Sequence, residues 1–221
     1  MATTVEAKSR EQATPPIAPT IPWYQARQRQ LLGAAVVLAA AAIVGWFVFD
    51  SGRRKEEFAA RSLNQARAAA EAGNLPLASS ELQRLITTYK GTDAASEAVI
   101  TLNQVRMVNG QSELAAVGLK EYLAAKPPAK YAAPAGGLLG AALENSKQWV
   151  EAGNAYTQAS SAADVPYLKA TYLIDAGRAF RQGGKMEEAK RAYRTILEKY
   201  PASPSFTEAQ VRLAELTEGK M

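Results

Sequence analysis

Residues 165–201, VPYLKATYLIDAGRAFRQGGKMEEAKRAYRTILEKYP, decide the fold. Ala176, Gly177 and Phe180 precede a turn at Gly184; Ala189, Tyr193 and Ile196 follow it at helical spacing. That is a hairpin of two helices, and it recurs. Stepping back 37 residues at a time from Ala189 gives Ala152, Ala115 and Ala78. Four residues after these alanines come Leu82, Leu119, Tyr156 and Tyr193, and three further on Leu85, Tyr122, Ala159 and Ile196. Five residues before them lie Gly73, Gly110, Lys147 and Gly184; twelve before them lie Ala66, Asn103, Gly140 and Gly177. A fixed period of 20 to 50 residues marks a stacked array.

The spacing predicts a fold. Within each unit a first helix ends at the turn position and a second begins beside it. The small residue of the first helix should face the alanine of the second where the two cross. The large side chains at +4 and +7 fall on one helical face and should fill the groove of the neighbouring hairpin. One hairpin cannot bury its apolar face alone, so several must stack. First helices are expected at 53–72, 93–109, 131–145 and 165–182, and second helices at 75–89, 111–125, 147–160 and 185–199. A last helix, 204–217, reads as a cap, with Leu213 and Ala214 in phase with the units before it. In the third unit Gly136 and Gly137 have no packing role that the sequence explains. They should weaken its first helix, at about 1 kcal/mol each relative to alanine, and make this unit the most mobile part of the array.

These units resemble the tetratricopeptide repeat. The fourth carries Ala176-Gly177, Phe180, Ala189, Tyr193, Ile196 and Pro201 at the family's key positions. The third has Leu139-Gly140, Leu143, Ala152 and Tyr156; the second has Leu102, Ala115, Leu119, Tyr122 and Pro127. The first departs most, with Gln65-Ala66 where Leu-Gly is usual. The resemblance implies an all-α chain with a solenoid of about four hairpins, spanning 59–221. First-helix residues would line its concave side. On that geometry Leu63, Arg67, Ile100, Gln104, Ala141, Ile174, Arg178 and Arg181 face a partner. The mix of aliphatic residues and arginines suits extended or partly unfolded peptides. The family's carboxylate clamp needs Lys and Asn where Leu63, Ile100, Ile174, Arg67, Gln104 and Arg178 stand, which speaks against capture of a C-terminal tail.

Ahead of the array lies an uncharged run of 19 residues, Leu31 to Phe49. At about 1.5 Å per residue it nearly spans a hydrocarbon core of about 30 Å. Leu31, Leu32, Val36, Val37, Ile43, Trp46, Phe47 and Phe49 would form the membrane anchor, with Trp23-Tyr24 and Trp46 at the two interfaces. A buried core helix and a cleavable signal peptide are the alternatives. The long charged stretch before the run and the bulky Trp46-Phe47-Val48-Phe49 at its end favour an uncleaved span. Ala35/Ala39 and Ala41/Gly45 would permit close helix contact in lipid. Residues 1–30, with Pro15, Pro16, Pro19 and Pro22, read as an extended tail, and 50–58 as a hinge, broken at Asp50-Ser51-Gly52, leading into the first repeat helix. Arg27 and Arg29 precede the span while Arg53, Arg54, Lys55 and Arg61 follow it, which by the positive-inside rule puts the array in the cytoplasm.

The chain has neither histidine nor cysteine. That excludes imidazole acid–base chemistry, Ser-His-Asp and Cys-His nucleophiles, disulfides and the common zinc sites. The scattered carboxylates read as helix caps and solvated faces, so neither an enzyme nor a cofactor is expected. A net charge of +5, without a basic stripe interleaved with aromatics, argues against nucleic acid. Tail, span and repeats together resemble the ancillary subunit family of the SecYEG translocon, whose repeats are related to those of the cell division coordinator. The resemblance implies a single-pass bacterial inner-membrane protein whose periplasmic repeats contact translocon subunits, a periplasmic chaperone or emerging polypeptides. An envelope-assembly or cell-division adaptor is the alternative that the same layout allows.

Overall fold

The computed structural model describes residues 28–217, apart from the side chains of Gln28, Arg29 and Leu31. The tail up to Arg27, including Trp23-Tyr24 and the prolines, lies outside them. Every regular element among the described residues is an α-helix. In chain order these are α1 (Gln28–Glu71), α2 (Leu75–Thr88), α3 (Asp93–Val108), α4 (Ser112–Ala124), α5 (Ala129–Asn145), α6 (Trp149–Ala162), α7 (Pro166–Gln182), α8 (Met186–Lys199) and α9 (Ser205–Thr217). The chain divides into two compact units, Met1–Asp50 and Ser51–Met221.

In the first unit, the described stretch of α1 is long and apolar enough to cross a membrane. None of its apolar window is buried: Val36, Ile43, Trp46 and Phe49 are all about two-thirds exposed. Among the described residues nothing packs over this window, so a buried core helix finds no support in them. Asp50-Ser51-Gly52 were expected to break the helix, but all three are helical. One glycine and one serine cost an exposed helix little more than 1 kcal/mol together, which flanking good helix formers offset.

The second unit is the array. Its punctuation is the most regular feature: Gly73, Gly110, Lys147 and Gly184 all adopt positive φ, at 77°, 75°, 59° and 72°. Each is followed by the same pair of hydrogen bonds. The next residue's N–H returns five residues, as in Asn74 to Ala69, Gln111 to Arg106, Gln148 to Leu143 and Lys185 to Phe180, at 2.8–2.9 Å. The turn residue's own N–H returns three, as in Gly184 to Arg181. This is the Schellman ending, in which a left-handed residue reverses the chain and satisfies the last carbonyls of the helix. Four repetitions of one turn fix one hairpin angle.

Packing inside the hairpins differs from expectation in one detail. The small first-helix residue meets the +4 side chain rather than the alanine. A Cβ on Gly140 would stand 2.5 Å from the Tyr156 ring, and one on Gly177 would overlap the Tyr193 ring. Where the small residue is Ala66, the +4 residue is the smaller Leu82. Gly136 and Gly137 turn out to be packing residues too. Both are buried, Gly136 against Ala159 of α6 and Gly137 against the Tyr172 ring of α7. The glycines lower helix propensity but let three helices approach closely, which is why they looked unexplained in sequence.

Successive first helices are also tied at their starts, again in register. The Glu56 carboxylate accepts the N–H groups of Asp93 and Ala94 at 2.9 and 2.8 Å. One period later, Asp93 receives Lys130 at 2.6 Å, and Tyr131 Oη donates to the Asp93 carbonyl at 3.2 Å. Glu56 thus caps α3 from α1, placing negative charge where the helix dipole favours it. The apolar interior falls into two clusters. One joins α1, α2 and α3 through residues such as Leu63, Leu82, Leu85 and Leu102. The other runs from Ala115 to Leu213. Between them Asn103 is fully buried, donating to Val99 O at 2.8 Å and accepting from Arg106 at 3.0 Å. Gly118 of α4 makes the room for that pair.

Candidate partner-binding groove

Residues from two consecutive first helices form an open groove of about 350 Å³. Arg67, Ala70 and Glu71 come from α1, Leu75 from the start of α2, and Thr101, Gln104, Val105 and Val108 from α3. The helical period makes the wall: 67, 70 and 71, and 101, 104, 105 and 108, each fall on one face. Arg67 is held across the groove by Glu97 of α3, Nη2 to Oε1 2.6 Å. Gln104 is exposed and keeps both an amide donor and a carbonyl acceptor at the surface. Val108, 77% exposed, leaves most of an apolar side chain in water at the groove's rim.

Of the residues expected on the concave face, the structure brings Arg67 and Gln104 into this groove. Leu63 and Ile174 are core residues, 3% and 8% exposed, so they pack between helices and offer no surface to a partner. Ile100 is partly buried against the larger cluster, and Ala141 is half-buried. The other two arginines tie neighbouring units. Arg178 of α7 sits between two carboxylates, Glu144 of α5 at 2.9 Å and Asp175 at 3.0 Å. Arg181 reaches Glu215 of α9 at 3.1 Å. Each is still one-third to one-half exposed, so a partner carboxylate could compete for either.

Glu144 gathers a second polar cluster between units. Tyr156 Oη donates to Glu144 Oε2 at 2.8 Å, on the oxygen that Arg178 also uses. Burial and the bond to Glu144 hold the Tyr156 phenol protonated, well above its ordinary range. Glu144 raises the Arg178 guanidinium, which stays charged. Burial pushes the Asp175 carboxyl up, and Arg178 only partly offsets that. The arrangement is a structural tie: nothing in it presents a nucleophile. Among the described residues, no group of three or more acidic, His or Cys side chains could hold a metal ion.

The other six lining residues, Ala70, Glu71, Leu75, Thr101, Val105 and Val108, were not anticipated in the groove. The signal was in the repeat: Val108 stands where the other units have Glu71, Asn145 and Gln182, so an apolar residue replaces a polar one at the same register.

The tetratricopeptide-repeat profile matches residues 173–203, the α7–α8 hairpin and its exit. None of the curated proteins matches the chain in sequence. Among solved structures, the MamA protein superposes with a TM-score of 0.57 at 21% identity, covering 74% of this chain and 83% of that one. The TPR-like repeats of a Podosopora anserina protein superpose at 0.54 with 18% identity, covering 72% and 84%. At such identity the likeness carries the fold alone. The second unit is therefore an all-α solenoid of tetratricopeptide-like hairpins, with one repeat recognisable to the family in sequence.

Proposed function

We propose that the protein is a membrane-tethered scaffold that holds other polypeptides at the export machinery of a bacterial inner membrane, through the groove between α1 and α3. The observation that carries this reading is the pairing of two features in one chain. One is an apolar helix that no described residue covers; the other is a repeat array whose groove offers Gln104 and Val108 to a partner. Repeats of this kind generally bind proteins, and their extended surfaces arise from stacking rather than from a catalytic pocket. Val108 and Leu75 supply apolar contact, Gln104 supplies main-chain hydrogen bonding, and Arg67 supplies a cation already oriented by Glu97. That combination suits an extended segment better than a folded surface.

The translocon assignment, and the periplasmic position of the repeats, rest on the resemblance in layout described above. The arginine excess after the span supports the opposite orientation. A photo-reactive residue at Gln104, in full-length protein in exporting cells, tests both. Capture of translocon subunits or emerging chains supports the reading, and capture of cytoplasmic proteins alone contradicts it. A yield dominated by cell-wall or division proteins would favour the adaptor reading instead.

A further inference from the structure

We infer that the outward face of α4 is a self-association surface, on which a second copy of the chain docks with its own α4 running antiparallel. The exposed residues of this helix, Glu113, Leu114, Val117, Lys120, Glu121 and Ala124, fall on one helical face. At its centre Val117 is 52% exposed, and Leu114 beside it is 48% exposed. The other second helices carry Ser80, Asn154 and Arg191 at the register of Val117. An apolar side chain therefore stands in water where the repeat elsewhere keeps a polar one.

The charges on this face are the second observation. On α2 and α8 exposed charges pair along their own helix: Glu81 with Arg84 at 3.0 Å, Glu187 with Lys190 at 2.9 Å, Glu188 with Arg191 at 3.6 Å. On α4 no described residue forms an ion pair with Glu113, Lys120 or Glu121. Glu113 and Lys120 stand two helical turns apart, about 10 Å, too far to meet. The helix residues three and four from either, Ala116, Val117, Leu123 and Ala124, carry no charge.

Charge complementarity selects a second copy as the occupant. The midpoint between Glu113 and Lys120 falls between Ala116 and Val117, so the face carries opposite charges on either side of an apolar centre. About a two-fold axis at that centre, Glu113 of each copy comes level with Lys120 of the other. Glu121 comes level with Ser112, the start of the other α4, whose N-cap Gln111 makes no side-chain bond and where negative charge is favoured. A parallel pair would instead set Glu113 against Glu113. A contact one helix of 13 residues long is smaller than the standard interface of about 1,600 Å², so the pair is weak and depends on concentration. None of the residues lining the groove of α1 and α3 is on α4, so each copy keeps its own groove.

The chain lacks cysteine, so Val117→Cys places a single thiol beside the two-fold axis. Arg191→Cys, at the same register two units on and also exposed, is the control. Full-length protein in detergent is oxidised with copper phenanthroline over a range of concentrations, and dimers are read on a non-reducing gel. Val117→Cys should give a disulfide dimer at concentrations where Arg191→Cys stays monomeric, and salt should weaken it. In the Val117→Cys chain, either Glu113→Lys or Lys120→Glu sets like charges against each other in both pairs. Each should weaken dimer formation about tenfold. Mixing the two charge-swapped chains restores opposite charges in both pairs and should bring the dimer back. Equal crosslinking of the two cysteine variants overturns the surface. Indifference to the charge swaps, or no recovery on mixing, overturns the antiparallel pairing. A Val117→Cys crosslink formed in membranes with a different protein alone overturns the second copy as occupant.

Discussion

Lys147 holds a left-handed backbone, φ 59°, that its three repeat counterparts give to glycine. A Cβ in that region costs about 1 kcal/mol or more. Lys147→Gly is therefore expected to stabilise the array by about 1 kcal/mol, raising the melting temperature by about 2–4 °C; Gly184→Ala should lower it by a similar amount. Calorimetry of the two variants checks the pair. Three of the four turns were readable in the sequence because glycine spacing reports φ directly, and the fourth, Lys147, followed from the register. What residues such as Gly137 do was not, because a helical glycine records only the size of a neighbour contributed from elsewhere in the chain. Asp175 gives a second test at this scale. Its carboxyl is raised by burial, so the folded state binds a proton more readily than the unfolded chain. Stability from this group is lost as pH rises from the ordinary carboxylate range through the raised value, and regained as pH falls. Asp175→Asn should melt no lower than the parent at neutral pH, and the difference between them should vanish in acid. A melt of the variant well below the parent at neutral pH would show that Arg178 needs both carboxylates.

Between elements, the pairing of a small first-helix residue with the +4 residue of the second sets helix separation. Gly177→Ala drives a methyl into the buried Tyr193 ring. It should cost about 1–3 kcal/mol despite alanine's better helix propensity. Tyr193→Leu in the same chain recreates the Ala66–Leu82 pair of the first unit. The double variant should therefore melt higher than the two single losses summed, and strict additivity would contradict the packing described. This partner choice was half legible. The register named both residues of each pair, yet matched the small one to the alanine, because a periodic list cannot say which of two residues on a face lies at the crossing point. Glu56 ties α1 to α3 through two backbone N–H groups. Glu56→Ala should cost about 1 kcal/mol, as for a lost cap. It should speed amide exchange in the first turn of α3 before it affects α7 or α8.

For the whole molecule, the fold was legible because a period of 37 residues repeats every constraint four times, so chance agreement at one position does not matter. The site was less so. Leu63 and Ile174 share a helical face with Arg67 and Arg178, and periodicity alone cannot separate the buried edge of that face from the exposed one. Arg67 and Arg181 in turn looked free because their carboxylate partners sit 30 and 34 residues away, on another helix, and for Arg178 the sequence offered Asp175 but not Glu144, 34 residues away. On the proposed reading, the exposed Gln104 and Val108, in the groove that Arg67 also lines, are what a partner meets.

The claim that this array holds extended polypeptides is met most directly by fluorescence anisotropy. Full-length protein in nanodiscs is titrated against a labelled, permanently unfolded polypeptide. Saturable binding that is weakened at least about tenfold by Val108→Asp, with the melting temperature unchanged, is the expected result. No saturable binding, or binding indifferent to Val108→Asp and Gln104→Ala, would contradict it.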